Sequence, residues 1–106
     1  MRAPSAETLM RSRYTAYTLD LETYLLNTWH PKTRPASLNL TDFDRHIFWL
    51  GLQVKQSKTI SEHEATVEFI ARFKDNSQHG KAERMHEISQ FLRLENTWFY
   101  VQALPN

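Results

Sequence analysis

The chain contains no cysteine, which excludes disulfides, thiolate metal sites and a cysteine nucleophile. Its only glycines are Gly51 and Gly80, too sparse for a glycine-rich phosphate loop. No apolar run approaches the roughly 20 residues of a membrane-spanning helix. Arg11 and Arg13 also interrupt the stretch where a signal peptide would carry its apolar segment. Charge of one sign is missing as well: 13 basic residues face 12 acidic ones, for a net charge of +1. Such a balance lacks the clustered positive charge that phosphate backbones demand, so nucleic acid is not expected as a partner. Arg11, Arg13, Lys32 and Arg34 make at most a local patch, read as a solvated helix face and loop. The expectation from these absences is a cytoplasmic protein with no membrane partner and no cofactor.

The chain does have aromatic residues in quantity. Three Trp, four Tyr and six Phe sit in 106 residues, with 41% hydrophobic and 24% charged residues overall. That is the composition of an ordinary globular chain, and residues 1–106 are expected to form a single domain. Each aromatic carries a large area, to fill a core or to line a cleft. The densest block is Leu9 to Tyr17, with two arginines, a serine and two tyrosines. Ser5 is placed to cap a helix here and Glu7 falls in its first turn. Ala6, Leu9, Met10, Arg13, Tyr14 and Tyr17 recur at three- and four-residue spacings, giving one face of a helix that ends near Leu19. Asp20 reads as the N-cap of a second helix, whose Leu21, Tyr24, Leu25, Thr28 and Trp29 share a face. Pro31 stops that helix at His30. Residues 32–46 read as loop, with a short helical turn capped by Thr41 or Asp42.

From Ile47 the period changes to two. Phe48, Leu50, Leu52 and Val54 alternate with Trp49, Gly51, Gln53 and Lys55, as in a strand. Val67, Phe69, Ala71 and Phe73 mark a second strand, followed by a polar turn from Asp75 to Gly80. A third runs from about Arg84 to Leu94 and a fourth from Thr97 to Ala103, joined by a two-residue turn in which Asn96 tolerates positive φ. Pairing Leu94 with Thr97 sets Leu92 opposite Phe99 and Gln90 opposite Val101. Pairing Lys74 with Glu83 sets Glu68 beside Ser89 and Ile70 beside Glu87. In that register one face collects Val67, Phe69, Ala71, Phe73, Ile88, Leu92, Phe99 and Val101, for packing on the helices. The other collects Glu68, Ile70, Arg72, Glu87, Ser89, Phe91, Trp98 and Tyr100, a surface for a ligand or a second subunit. A one-residue slip would exchange these sets.

Helices followed by an antiparallel sheet of about four strands define an α+β fold. Leu9 to Tyr17, Thr28-Trp29-His30-Pro31, Gly51-Leu52, Val67 to Phe69 with Ala71 to Phe73, His86-Glu87 with Ser89 and Phe91, and Trp98 to Val101 together resemble the YchJ-like proteins, in order and over nearly the whole chain. The resemblance implies a cone-shaped fold of the nuclear transport factor 2-like type, with helices on a curved sheet, often a cavity and often a dimer. It brings no established reaction. Such proteins usually carry a cysteine-rich SEC-C zinc motif beside this domain; with no cysteine here, no zinc role carries over. The chain begins about where that motif would end, as an excised domain or a naturally short member would.

His86-Glu87 is the most chemistry-like pair, but neighbours on a strand point to opposite faces, so the two are not expected to cooperate. Glu68, Arg72 and Glu87 share a face in the register above and suit an ion-pair network or an anion site. Arg13 is expected to clamp Glu68 or Glu87, because a partly buried arginine needs a partner. His30, His46, His63, His79 and His86 show no ligand spacing, so no metal site is expected. The candidate pocket or ion-pair network therefore comprises Arg13, Tyr14, Tyr17, Trp29, Trp49, Glu68, Arg72, Glu87 and Tyr100. The leading expectation is a non-catalytic module that binds a protein partner or itself through the face bearing Phe91, Trp98 and Tyr100. The alternative is a small-molecule or enzymatic pocket between the first helix and the sheet, lined by Tyr14, Tyr17, Trp29, Trp49, Glu68 and Arg72. By analogy with nuclear transport factor 2-like enzymes such as ketosteroid isomerase, Glu68 is its candidate base.

Overall fold

The computed structural model describes residues 4–40, 47–75 and 81–105. The expected helical turn at Thr41 or Asp42 and most of the turn after Asp75 lie outside them. Helix α1 spans Ala6–Thr18, and the Ser5 side chain caps it by accepting from the Thr8 amide at 3.1 Å. Helix α2 spans Glu22–Asn27. Asp20 does not cap it. Asp20 stands at φ 56°, where its amide donates to the Tyr17 carbonyl and the Leu21 amide donates to the Ala16 carbonyl. That pattern closes the C-terminus of α1 through a left-handed residue. The same short polar side chain that favours N-caps also tolerates the left-handed region, and here the second property decides.

Among the described residues, strands β1 (Ile47–Ser61), β2 (Glu64–Asp75), β3 (Ala82–Leu94) and β4 (Thr97–Leu104) form one antiparallel sheet in sequence order. Glu95 and Asn96 both take positive φ, the requirement of a tight turn matched to strand twist. After α2, the chain runs beside β4. The His30 amide donates to the Tyr100 carbonyl at 2.7 Å, and the Tyr100 amide donates to the Thr28 carbonyl at 2.9 Å. This short bridge covers the outer edge of β4 and ties the helical layer to the sheet.

Strand β1 carries extra residues at Leu50, Lys55 and Ile60, each without a partner on β2. Such bulges bend and twist a strand. They also reset the alternation: Phe48 and Leu50 point outward, whereas Leu52 and Val54 pack against the core. The uniform face expected for Phe48, Leu50, Leu52 and Val54 is therefore broken at Leu50.

The β3–β4 hairpin keeps the expected pairs of Leu94 with Thr97 and Leu92 with Phe99. Further along, Val101 bulges, so Gln90 faces Gln102 rather than Val101. The β2–β3 register is one residue from expectation: Lys74 pairs with Ala82, Glu68 with Ile88 and Ile70 with His86. A slip of one exchanges the faces of a strand. The inward set on β3 is thus Met85, Glu87, Ser89 and Phe91, opposite Ala71, Phe69, Val67 and Ala65. The reason is burial. This register places Phe91 at 1% exposure in the core with Leu9, Met10 and Val67. The expected register instead drew Ile88 and Leu92 to the apolar face, which left Phe91 outside. Phe91, Trp98 and Tyr100 pack towards the core rather than forming an outer docking face.

Candidate functional site

Helix α1 crosses the inner face of the sheet and leaves a cavity of about 240 Å³ between them. The helix contributes Met10, Arg13, Tyr14 and Tyr17, a stripe at three- and four-residue spacing. Strand β3 contributes Met85, Glu87, Ser89 and Phe91, every second residue along one face. Trp49, Phe69, Ala71 and Tyr100 complete the wall. The Trp49 ring lies 5.8 Å, centre to centre, from each of the Tyr14 and Tyr17 rings, so aromatic edges and faces line one side.

The polar groups gather around Tyr100. Glu87 Oε2 accepts from the Ser89 hydroxyl at 2.5 Å and from the Tyr100 hydroxyl at 3.4 Å. Both bonds fall on that one oxygen. Arg13 is 5% exposed, and its Nη1 donates to the Leu25 carbonyl at 2.7 Å and the Thr28 hydroxyl at 2.6 Å. The guanidinium carbon lies 4.6 Å from the Tyr100 ring centre and 5.1 Å from that of Trp29, within the range of cation–π attraction. Burial lowers the Arg13 pKa from its usual value, and the surrounding phenols and Glu87 oppose that shift. Burial raises the Tyr100 phenol well above its usual range, and the Glu87 charge adds to the effect. Tyr17 is also raised by burial, with Arg13 opposing and Glu87 adding. Both phenols are therefore neutral at physiological pH; Tyr100 donates to Glu87, and the Tyr17 oxygen accepts from Arg13.

The structure separates the residues grouped from sequence. Arg13, Tyr14, Tyr17, Trp49, Glu87 and Tyr100 meet at the cavity. Trp29 stands behind it, edge-to-face on Tyr100 at 4.9 Å. Glu68 and Arg72 lie on the opposite face of the sheet. There Glu68 pairs with His86 at 2.7 Å, and Arg72 borders a shallow outer depression with Ile70 and Arg84. A three-membered Glu68–Arg72–Glu87 network is thus excluded by the alternation of β2 and the register of β3. The expected clamp is also corrected: Arg13 forms no ion pair with Glu68 or Glu87. It locks α1 through the end of α2, by a carbonyl and a hydroxyl. His86 and Glu87 do point to opposite faces, as alternation requires. Met10, Phe69, Ala71 and Met85 were not among the candidates, and Ser89 and Phe91 were read as part of an outer ligand or subunit face rather than of this pocket. The series Met85, Glu87, Ser89, Phe91 would have revealed the β3 set, had its face been assigned by the most buried aromatic. Among the described residues no group of three His, Asp or Glu side chains is arranged to hold a metal, and no helix is long and apolar enough to cross a membrane.

A helical layer over a bent antiparallel sheet, enclosing a cavity against the first helix, defines an α+β domain of the NTF2-like class. Over residues 5–103 the sequence matches the family described as YchJ, middle NTF2-like domain. The chain belongs to that family. It is 54% identical to a UPF0225 protein of Chromobacterium violaceum, covering 96% of this chain and 75% of that one. It is 50% identical to a UPF0225 protein of Bordetella pertussis, covering 97% and 74%. The solution structure of a SEC-C motif containing protein from Rhodopseudomonas palustris superposes with a TM-score of 0.85 at 33% identity, covering all of this chain and 82% of that one.

Proposed function

We propose that this domain is a non-catalytic, cytoplasmic small-molecule-binding module whose site is the cavity between α1 and the inner face of the sheet. The observation that carries the reading is the cavity itself: a predominantly apolar, aromatic-walled space with a few convergent polar groups at one side, the usual make-up of a ligand site. Its volume exceeds the roughly 150 Å³ of an engineered apolar cavity that takes up benzene. The test is an NMR titration of the protein with naphthalene. Saturable shifts confined to Tyr14, Trp49, Phe91 and their neighbours are expected. A spectrum that does not respond would sink the proposal.

Self-association is a second reading, favoured by Phe48 and Leu50. These large apolar side chains are 49% and 43% exposed and point outward from β1. Size-exclusion with light scattering distinguishes it, since a strict monomer at high concentration removes it.

A further inference from the structure

Two charged groups line the cavity with hydrogen-bonding capacity that the protein leaves unused. Glu87 carries both of its protein bonds on Oε2, and none falls on Oε1. Arg13 donates from Nη1 to the Leu25 carbonyl and the Thr28 hydroxyl, and its side chain also hydrogen-bonds Tyr17. A guanidinium has five N–H donors in a fixed fork, so with three protein partners it keeps donors for a further acceptor. No side-chain nitrogen or oxygen among the described residues is sealed from solvent without a partner. Since Arg13 is 95% removed from solvent and borders the cavity, the surface it retains is assigned to that space. The cation and the anion share one cavity without forming an ion pair.

The geometry points to a neutral, planar bicyclic ligand that presents a hydrogen-bond donor to Glu87 Oε1 and an acceptor to Arg13 from the same edge, the chemistry of a lactam ring. This rests on the cavity being a ligand site, as proposed above. An anion would gain from Arg13 and be opposed by Glu87, and a cation the reverse. A neutral group with a donor beside an acceptor satisfies both, and it relieves the penalty of leaving a buried charge incompletely solvated. Scaling from benzene in a cavity of about 150 Å³, the observed volume accommodates roughly ten ring atoms. The walls suit a flat ring, with Trp49 and Phe91 offering aromatic faces and edges.

Three probes of similar size test this on the wild-type protein by NMR titration: 2-quinolinone, with N–H beside C=O; quinoline, with a ring acceptor and no N–H; and naphthalene, with neither. The expected result is saturable binding of 2-quinolinone at the cavity about tenfold or more tighter than either control, the effect of a hydrogen bond to a charged group. Glu87→Gln should reduce the preference for 2-quinolinone over naphthalene, and a preference that this variant leaves intact would overturn the role of Glu87. Naphthalene or quinoline binding as tightly as 2-quinolinone to the wild-type protein would overturn the lactam assignment while leaving the cavity a ligand site. No binding by any of the three would overturn both. The wild-type comparison decides the matter even where the variant folds poorly.

Discussion

The two faces of the sheet treat the same chemistry in opposite ways. Each presents a carboxylate from a central strand. On the outer face, Glu68 meets His86 across β2 and β3, with side-chain exposures of 31% and 42%. On the inner face, Glu87 is held by Ser89, which is 1% exposed, and by Tyr100, beside a buried guanidinium. The outer pair is solvated on several sides and screened. The inner group sits in a cavity where hydrogen bonds to charged atoms are stronger and unmet ones cost more. A single residue of register separates these fates, since a one-place shift of β3 would turn Glu87 outward and His86 inward.

The inner face should therefore dominate stability, most steeply at Phe91. Truncating this ring by Phe91→Ala leaves a hole among Leu9, Met10 and Val67, at an expected cost of about 3–5 kcal/mol. The matching truncation outside, Phe48→Ala, removes a side chain already half in water and should cost about 1 kcal/mol. Chemical denaturation of both variants sharpens the contrast; equal losses would break it.

Arg13 comes next. Arg13→Leu removes two hydrogen bonds to the end of α2 and the contacts over Tyr100 and Trp29. The Leu25 carbonyl and Thr28 hydroxyl lose a donor in a buried setting, so a loss of about 2–4 kcal/mol is expected. Arg13→Lys keeps the charge but not the planar fork, and it should recover less than half of that. Full recovery by lysine in urea denaturation would mean that charge alone matters here.

The phenols give a pH signature confined to the inner face. The folded state holds Tyr100 and Tyr17 above their usual pKa. A raised folded pKa contributes stability that is whole below the unfolded value of about 10 and is lost as pH rises through the folded value. Stability should fall above about pH 10, by up to about 1.4 kcal/mol per pH unit for each phenol that resists ionisation. Tyr100→Phe should flatten part of that slope. An identical slope in wild type and variant would show that the phenol is not what resists the alkali.

The contrast between the faces also explains how much was legible in the sequence. The helix stripe through Met10, Arg13, Tyr14 and Tyr17 follows from a period that any helix must obey, so one wall of the cavity could be read directly. The strands and the β3–β4 turn were equally plain, because Glu95-Asn96 leaves little choice of geometry. The β2–β3 register was not legible. Alternation tells which residues share a face of one strand, but nothing local states which face meets the helices. Met85, Glu87, Ser89 and Phe91 look more polar than Ile88, Leu92 and their neighbours, and the rule that apolar residues go inside chose the wrong set. A partly polar cavity violates that rule, as functional sites often do. The bulge at Leu50 was hidden for a related reason, since it depends on pairing with a strand distant in sequence. The left-handed Asp20 is local, and it was hidden because a short polar side chain suits both a cap and that conformation.

The smallest expected effect is the most direct check on the comparison between the two carboxylates. Glu68→Gln removes the charge from an exposed pair whose partner remains solvated, so it should cost less than about 1 kcal/mol. It should leave ring binding in the cavity unchanged, because the sheet lies between them. Glu87→Leu is larger in energy and serves as its inner counterpart. It strips the Ser89 hydroxyl of its acceptor at a position closed to water, for about 1–3 kcal/mol. The informative quantity is the ratio of the two losses, measured by denaturation at one pH and ionic strength. Raising the salt should shrink the Glu68 effect and leave the Glu87 effect nearly intact, because ions screen the outer face and do not enter the buried side of the inner one. Equal losses with equal salt response would place both carboxylates in the same environment, which the observed register of β3 does not allow.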